Sequence, residues 1–238
     1  MKKNKLIYAL IPARKGSKSI KNKNLRRIGN KSLIQNSITI AKKSNKIDKT
    51  FCSTDNEKIL KVCNKMGVIG IKRPKKISGA NSKVIDTVYH FVEYLKKNKI
   101  DLPEILILLQ PTSPFIFTED INELINCYKK KSNISSVNSY IEVSHKYNPV
   151  NLASLSTSKK VNYLHYKQRI SKPLRQQKKN YYVHGNLFSF KLNEMIKQKN
   201  LIPKPIYGII LRNKFKAIDI DDLNDLELAR LISKSNIF

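Results

Sequence analysis

The chain reads as an α/β protein: a mostly parallel sheet with helices on both faces, in a Rossmann-like three-layer arrangement, with one small inserted arm. Three observations predict this. Up to about residue 130, short apolar runs alternate with segments of helical periodicity, the pattern of parallel strands joined by crossover helices. The run Glu104–Leu109 is almost purely apolar, as a central strand buried on both faces would be. From about Asn148 to Asn180 the apolar periodicity weakens and Ser, Lys, Gln and Tyr dominate, which marks the arm. A length of 238 residues suits one domain with a good core.

Taken in order, Lys5–Ile11 is the first strand. Ser32–Ser44 is an amphipathic helix with Leu33, Ile34, Ser37, Ile38 and Ala41 on one side. Lys49–Ser53 is a second strand, and Asp55 is placed to cap the helix that runs to Met66 and ends at Gly67. Val68–Lys72 is a third strand and Val84–Lys97 a helix. The central strand stops at Pro111 and Pro114, followed by a helix over Thr118–Lys131 and a strand over Ile134–Ser144. Beyond the arm, whose Tyr163, Leu164, Tyr166 and Ile170 offer apolar surface, Tyr181–Phe190, Ile206–Leu211 and Phe215–Ile220 read as strands. Asp221, Asp222 and Asp225 open a closing helix that runs to about Ser233.

The formal net charge is +30, which raises nucleic acid as a partner. The pattern argues against it. Only eight of the 47 basic residues are Arg, and the lysines are scattered rather than clustered with aromatics. Solvated Lys-rich faces explain the charge, and their field favours small anionic substrates. Cys52, Cys63 and Cys127 show no ligand spacing and read as small apolar fillers in a reducing compartment. No apolar run is long enough to span a membrane or to act as a secretory signal, which predicts a cytoplasmic protein.

The chemistry concentrates in three places. After the first strand, Arg14, Lys15, Lys18, Lys21 and Lys23 surround Gly16 and Ser17, a turn in which backbone N–H groups and cations can converge on a polyphosphate. Neither a G-x-G-x-x-G nor a G-x-x-x-x-G-K-[ST] motif is present, so a Rossmann dehydrogenase and a P-loop NTPase are poorly supported. At Ala217–Asp221, strand alternation would put Asp219 and Asp221 on one face, where two carboxylates can share a hard divalent cation with phosphate oxygens and water. Helix capping is the other use for these aspartates, but Asp222 or Asp225 can do that instead. Gln110 ends the central strand.

These residues resemble the acylneuraminate cytidylyltransferases, which make CMP-sialic acids and related CMP-nonulosonic acids. The resemblance runs nearly end to end. It rests on Ile11–Leu25 (IPARKGSKSIKNKNL), Ser53-Thr54-Asp55, Arg73-Pro74, Leu108–Pro114 (LLQPTSP), Arg175-Gln176 and Asp219-Ile220-Asp221, in that order. It implies a single nucleotidyltransferase domain over residues 1–238. The anomeric hydroxyl of a nine-carbon 2-keto sugar acid attacks the α-phosphorus of CTP, and pyrophosphate leaves, in the service of cell-surface glycan synthesis such as lipopolysaccharide or capsule. It also implies roles. Arg14, Lys23 and Asp221 are catalytic, and Ala13, Arg14, Gly16, Ser17, Lys18, Lys23, Asn24 and Ser82 bind the nucleotide. Gln110, Arg175, His184 and Phe188 bind the sugar, with Arg175 pairing to its carboxylate. Asp219 and Asp221 hold Mg²⁺. A homodimer is implied, with the arm closing the partner's sugar site.

The sequence departs from the family pattern at Ala80, where an Asp is frequent. It departs again at His184-Gly185-Asn186-Leu187-Phe188, where the family has N-G-A-[IV]-Y. The loss of an amide and a phenol at the sugar site suggests a legionaminic- or pseudaminic-type acid as acceptor, in place of N-acetylneuraminic acid. Of the other histidines, His90 lies in a helix, His165 in the arm, and His145 just after a strand. Two other readings remain. One is a cytidylyltransferase acting on 3-deoxy-manno-octulosonate or an alditol phosphate; the other is a basic RNA-binding or inactive regulatory homologue.

Overall fold

A computed structural model describes residues 5–17, 19–79, 81–171, 174, 176 and 179–235. Strand β1 (Ile7–Pro12) leads into a loop that closes on a two-strand hairpin, β2 (Arg27–Ile28) and β3 (Lys31–Ser32). Helix α1 (Leu33–Lys43) starts at a full capping box. The Gln35 N–H donates to Ser32 Oγ at 3.4 Å, and the Ser32 N–H donates to Gln35 Oε1 at 2.9 Å. There follow β4 (Lys49–Thr54), α2 (Glu57–Lys65), β5 (Ile69–Lys72), α3 (Val84–Lys97), β6 (Ile105–Leu109), α4 (Thr118–Lys130) and β7 (Ser136–Glu142). Among its described residues the arm holds a 3₁₀ turn at Pro149–Asn151, a hairpin of β8 (Ala153–Leu155) and β9 (Val161–Tyr163), and α5 (Tyr166–Ser171). The chain ends in β10 (Tyr182–Lys191), α6 (Leu192–Gln198), β11 (Ile206–Ile210) and α7 (Leu223–Lys234).

The seven strands of the main sheet lie in the order β11-β7-β10-β6-β1-β4-β5. β10 runs antiparallel to both neighbours, and the other pairings are parallel. Alternation along β1 and β6 divides the core. Ile7, Ala9, Ile11, Ile105, Ile107 and Leu109 pack under Ile34 and Ile38 of α1, Ile59 of α2 and Ile121 and Leu124 of α4. Tyr8, Leu10, Leu106 and Leu108 pack under Val88, Phe91 and Leu95 of α3 and Met195 of α6. A third cluster, Ile20, Leu33, Phe115 and Ile220 with Leu226, Ala229 and Ile232 of α7, lies under the loop after β1. No helix among the described residues is long and apolar enough to cross a membrane.

Two expectations need correction. Asp55 is not the cap of α2. Asn56 is, its side chain accepting from the Lys58 N–H at 2.9 Å, while Asp55 accepts from the Lys15 N–H at 2.6 Å. Phe215–Ile220 is not a strand. Asn213 Oδ1 accepts from the Phe215 N–H at 3.0 Å and starts a 3₁₀ turn over Lys214–Ala217. The apolar residues that suggested a strand, Phe215, Ile218 and Ile220, instead fill the third cluster. Helix α6 follows β10 without a break and was not expected.

Candidate active site

The cleft opens at the carboxyl ends of β1, β5 and β6 and encloses ≈ 820 Å³, open solvent at its mouth included. Its first wall is the loop after β1. Ile20, 1% exposed, anchors this loop in the third cluster. Asn24 Nδ2 donates to the Arg14 carbonyl at 3.0 Å, which ties the loop's two ends together. Arg14, Gly16, Ser17, Lys23 and Asn24 face the cleft. A Cβ added at Gly16 would meet no protein atom within 4 Å, so packing within the chain does not require the glycine. One terminal N–H group of Arg14 donates to the Gly79 carbonyl at 2.9 Å, linking the loop to the opposite wall.

The opposite wall is the segment before α3, with Ser82, Lys83, Val84 and Thr87 lining the cleft. At its base lies Arg73, 5% exposed, fixed by Nε to Ser53 Oγ at 3.2 Å and by a terminal nitrogen to the Ser53 carbonyl at 3.0 Å. Burial pulls Arg73 below its ordinary pKa, and the carboxylate of Asp55 opposes the shift. Gln110 and Thr112, just after β6, complete the floor.

The two aspartates form the third side. The chain through them is extended but unpaired, held by the Ile220 N–H donating to the Thr112 carbonyl at 2.8 Å and by burial of the Ile220 side chain. Asp222 and Asp225 form the capping box of α7, so neither Asp219 nor Asp221 is used as its cap. Asp219 Oδ1 is buried with no hydrogen-bond partner among the described residues. Burial raises its pKa and the nearby Asp221 charge adds to the shift, while Thr112 and Lys23 oppose it. Lys23, its side chain 13% exposed, reaches across the cleft to the Ile220 carbonyl at 2.6 Å and Asp221 Oδ1 at 3.4 Å. Ser19 Oγ also donates to the Asp221 carbonyl. Among the described residues no group of three metal-ligating side chains is present. The pair nevertheless fits a hard cation that takes its remaining ligands from phosphate and water. The donors are carboxylate oxygens, and one of them is buried without a partner.

The structure therefore gathers Arg14, Gly16, Ser17, Lys23, Asn24, Ser82, Gln110, Asp219 and Asp221 around one cleft. Ala13 is fully buried and its N–H donates to the Ser53 carbonyl at 2.9 Å, so it continues the pairing of β1 and its own N–H is already used. His184 and Phe188 do not line this cleft; they lie on β10 beside it, stacked with ring centroids 4.2 Å apart. Lys18 and Arg175, like Ala80, lie outside the described residues. Arg73, Lys83, Thr87 and Thr112 were not assigned a role from the sequence. Arg73 and Thr112 sit inside the motifs quoted above, whereas Lys83 and Thr87 carry no local signal.

Comparisons with known proteins identify the family and the fold. A family model described as "Cytidylyltransferase" matches residues 8–236. The chain is 26% identical over 231 residues to the N-acylneuraminate cytidylyltransferase of Escherichia coli O18:K1:H7, covering 96% of this chain and 52% of that protein. It is 27% identical to the CMP-N,N'-diacetyllegionaminic acid synthase of Legionella pneumophila and 28% identical to the pseudaminic acid cytidylyltransferase of Campylobacter jejuni. These matches cover 97% and 95% of this chain, and 97% and 96% of those proteins. It thus spans about half the length of the E. coli relative and nearly all of the other two. The fold matches a CMP:2-keto-3-deoxy-manno-octonic acid synthetase solved with CTP, at TM-score 0.70 and 17% identity, over 96% of this chain and 98% of that one. A 4-diphosphocytidyl-2C-methyl-D-erythritol synthase matches at TM-score 0.68 and 13% identity, over 96% and 98%. With a family match spanning nearly the whole chain and a cleft built from the expected residues, this protein belongs to the cytidylyltransferase family.

Proposed function

We propose that this chain transfers CMP from CTP to the anomeric hydroxyl of a nonulosonic acid and releases pyrophosphate. The observation that carries the reading is the convergence of Arg14, Lys23, Asn24, Gln110, Asp219 and Asp221 on one cleft at the carboxyl ends of the central strands. Phosphoryl transfer needs positioning and neutralisation more than covalent participation by the protein. Arg14 spends one N–H group on Gly79, and its other guanidinium groups can fork onto phosphate oxygens. Lys23 supplies a point charge beside the carboxylates, and N–H groups around Gly16 and Ser17 line the phosphates. Asp219 and Asp221 would hold Mg²⁺, which supplies charge neutralisation at the transferred phosphate. Gln110 orients the sugar by hydrogen bonding, and Arg175 pairs with its carboxylate.

The relatives' names cover three different nonulosonic acids, so the acceptor reading rests on this chain's own residues. At His184 and Phe188, on β10 beside the cleft, the chain presents fewer hydrogen-bonding groups than an Asn and a Tyr would. This favours a 9-deoxy, diacylamino acid of the legionaminic or pseudaminic type over N-acetylneuraminic acid. We read the working form as a cytoplasmic homodimer built through the arm. There Leu155, Leu164, Tyr166 and Ile170 are each at least 60% exposed, more apolar surface than a small monomer keeps bare. The test is pyrophosphate release from CTP and Mg²⁺ across a panel of 2-keto sugar acids. Release dependent on a diacylamino nonulosonic acid supports the reading. Release only with 2-keto-3-deoxy-manno-octonic acid replaces the acceptor, and no release with any acid removes the activity.

A further inference from the structure

Beside the cleft, one face of the sheet holds polar groups with nothing to bond. Asn138 of β7 is 0% exposed, and neither its Oδ1 nor its Nδ2 has a hydrogen-bond partner among the described residues. The ladder pairs Asn138 with Phe188 of β10 and with Gly208 of β11, and pairs Tyr140 with His184. Directly paired residues project from the same face, so Asn138, Tyr140, His184 and Phe188 form one patch. A Cβ at Gly208 would come within 2.7 Å of the Tyr140 ring. The missing side chain is what lets that ring lean across β11 beside Asn138. His184 stacks on Phe188 and tilts against Tyr140 at 5.1 Å, and both of its ring nitrogens are also buried without partners among the described residues. The patch adjoins the cleft, because Phe188 pairs with Leu108, two residues before Gln110.

A buried polar atom without a partner costs on the order of 1–3 kcal/mol, so folding alone would favour an apolar residue at position 138. An amide offers donors and an acceptor, and each imidazole nitrogen can donate or accept. Together they complement a secondary amide, with its one N–H and one C=O, and the surrounding rings suit its methyl group. We propose that Asn138 is a specificity-determining residue for the acceptor, reading an acylamino substituent of the sugar with His184 beside it. This rests on the reading that the acceptor is a nonulosonic acid.

The test is Asn138→Leu in the full chain, with Asn138→Ser as a second variant should leucine prevent folding. KM is measured for N,N'-diacetyllegionaminic acid, N-acetylneuraminic acid and CTP, and the melting temperature is measured in parallel. The KM for an acylamino acceptor rises roughly tenfold or more, while the KM for CTP stays within about twofold and the melting temperature does not fall. An unchanged acceptor KM overturns the proposal. So does a fall in melting temperature with acceptor and CTP KM rising together, the mark of an ordinary structural asparagine. If the unmodified protein turns over neither these acids nor pseudaminic acid, the acceptor reading itself fails and this inference falls with it. If the unmodified protein turns them over and the variant does so equally well, only this inference fails.

Discussion

Asp219 occupies a place where a carboxylate is costly: partly buried, one oxygen unpartnered among the described residues, and two residues from a second carboxylate. Such an arrangement makes sense if a cation completes it. Asp221→Asn keeps the extended backbone and the buried Ile220, so the fold is expected to survive while turnover drops by roughly a hundredfold or more. Chelation of Mg²⁺ should stop wild-type turnover and re-addition restore it, and near wild-type rates from Asp221→Asn at saturating Mg²⁺ would refute the assignment. Arg14→Lys exchanges a fork for a point charge and should cost roughly 2–4 kcal/mol at the transition state. CTP affinity should fall less than the rate, and an unchanged kcat with a raised KM would reduce Arg14 to ground-state binding. His184 gives a pH signature. Burial holds its pKa below the ordinary value, so the unfolded chain takes up the proton first as pH falls. Stability from the neutral ring is complete above about pH 6.5 and is lost progressively below it. Wild-type melting should therefore fall relative to His184→Asn between pH 7.5 and pH 5, and parallel curves would contradict it. The loop residues and both aspartates were legible in the sequence because their motifs are contiguous. Asn138 was not, because its meaning depends on cross-strand partners 50 and 70 residues away.

At the scale of elements, β10 is the joint between the two halves of the site. Its pairing with β7 shifts between His184 and Phe188, and Asn186 sits in that irregularity at φ 63°. Asn186 Nδ2 donates to the Ala217 carbonyl at 3.2 Å, two residues before Asp219. Asparagine tolerates this backbone better than alanine does, so Asn186→Ala should lose about 1–2 kcal/mol from strain alone. Asn186→Gly relieves the strain but still loses the link. Denaturant midpoints should rank wild type above Gly and Gly above Ala, and equal midpoints for Gly and Ala would dismiss the strain. The arm is the second element with a function to test. Deleting residues 153–172 should yield a monomer that binds CTP but turns over poorly. Light scattering showing the intact protein to be monomeric at micromolar concentration would end the dimer reading. Helices α1, α3 and α4 were legible because their apolar faces keep helical periodicity over 11–14 residues. Helix α6 is only seven residues and continues directly from a strand, so neither length nor a break announces it. Phe215–Ile220 misled because a 3₁₀ turn packed on a third core cluster spaces apolar residues much as a strand does.

For the whole molecule, the +30 charge comes mostly from lysines scattered along the sequence. The cleft combines Arg14, Lys23, Arg73 and Lys83 with only two carboxylates, so local and global fields both favour a triphosphate. The KM for CTP should rise several-fold between low salt and about 0.3 M salt, with kcat changing less. The three-layer fold brings residues as distant as Lys23 and Asp221 within hydrogen-bond reach, because the loop after β1 and the segment before α7 share one core cluster. The central claim is that the cleft joins CMP to a sugar acid. The most direct test is ³¹P NMR of the protein with CTP, Mg²⁺ and N,N'-diacetyllegionaminic acid. The account predicts loss of the CTP resonances and growth of one phosphodiester signal with an equivalent of pyrophosphate. Unchanged CTP, or conversion to free CMP and pyrophosphate with no phosphodiester, would contradict it.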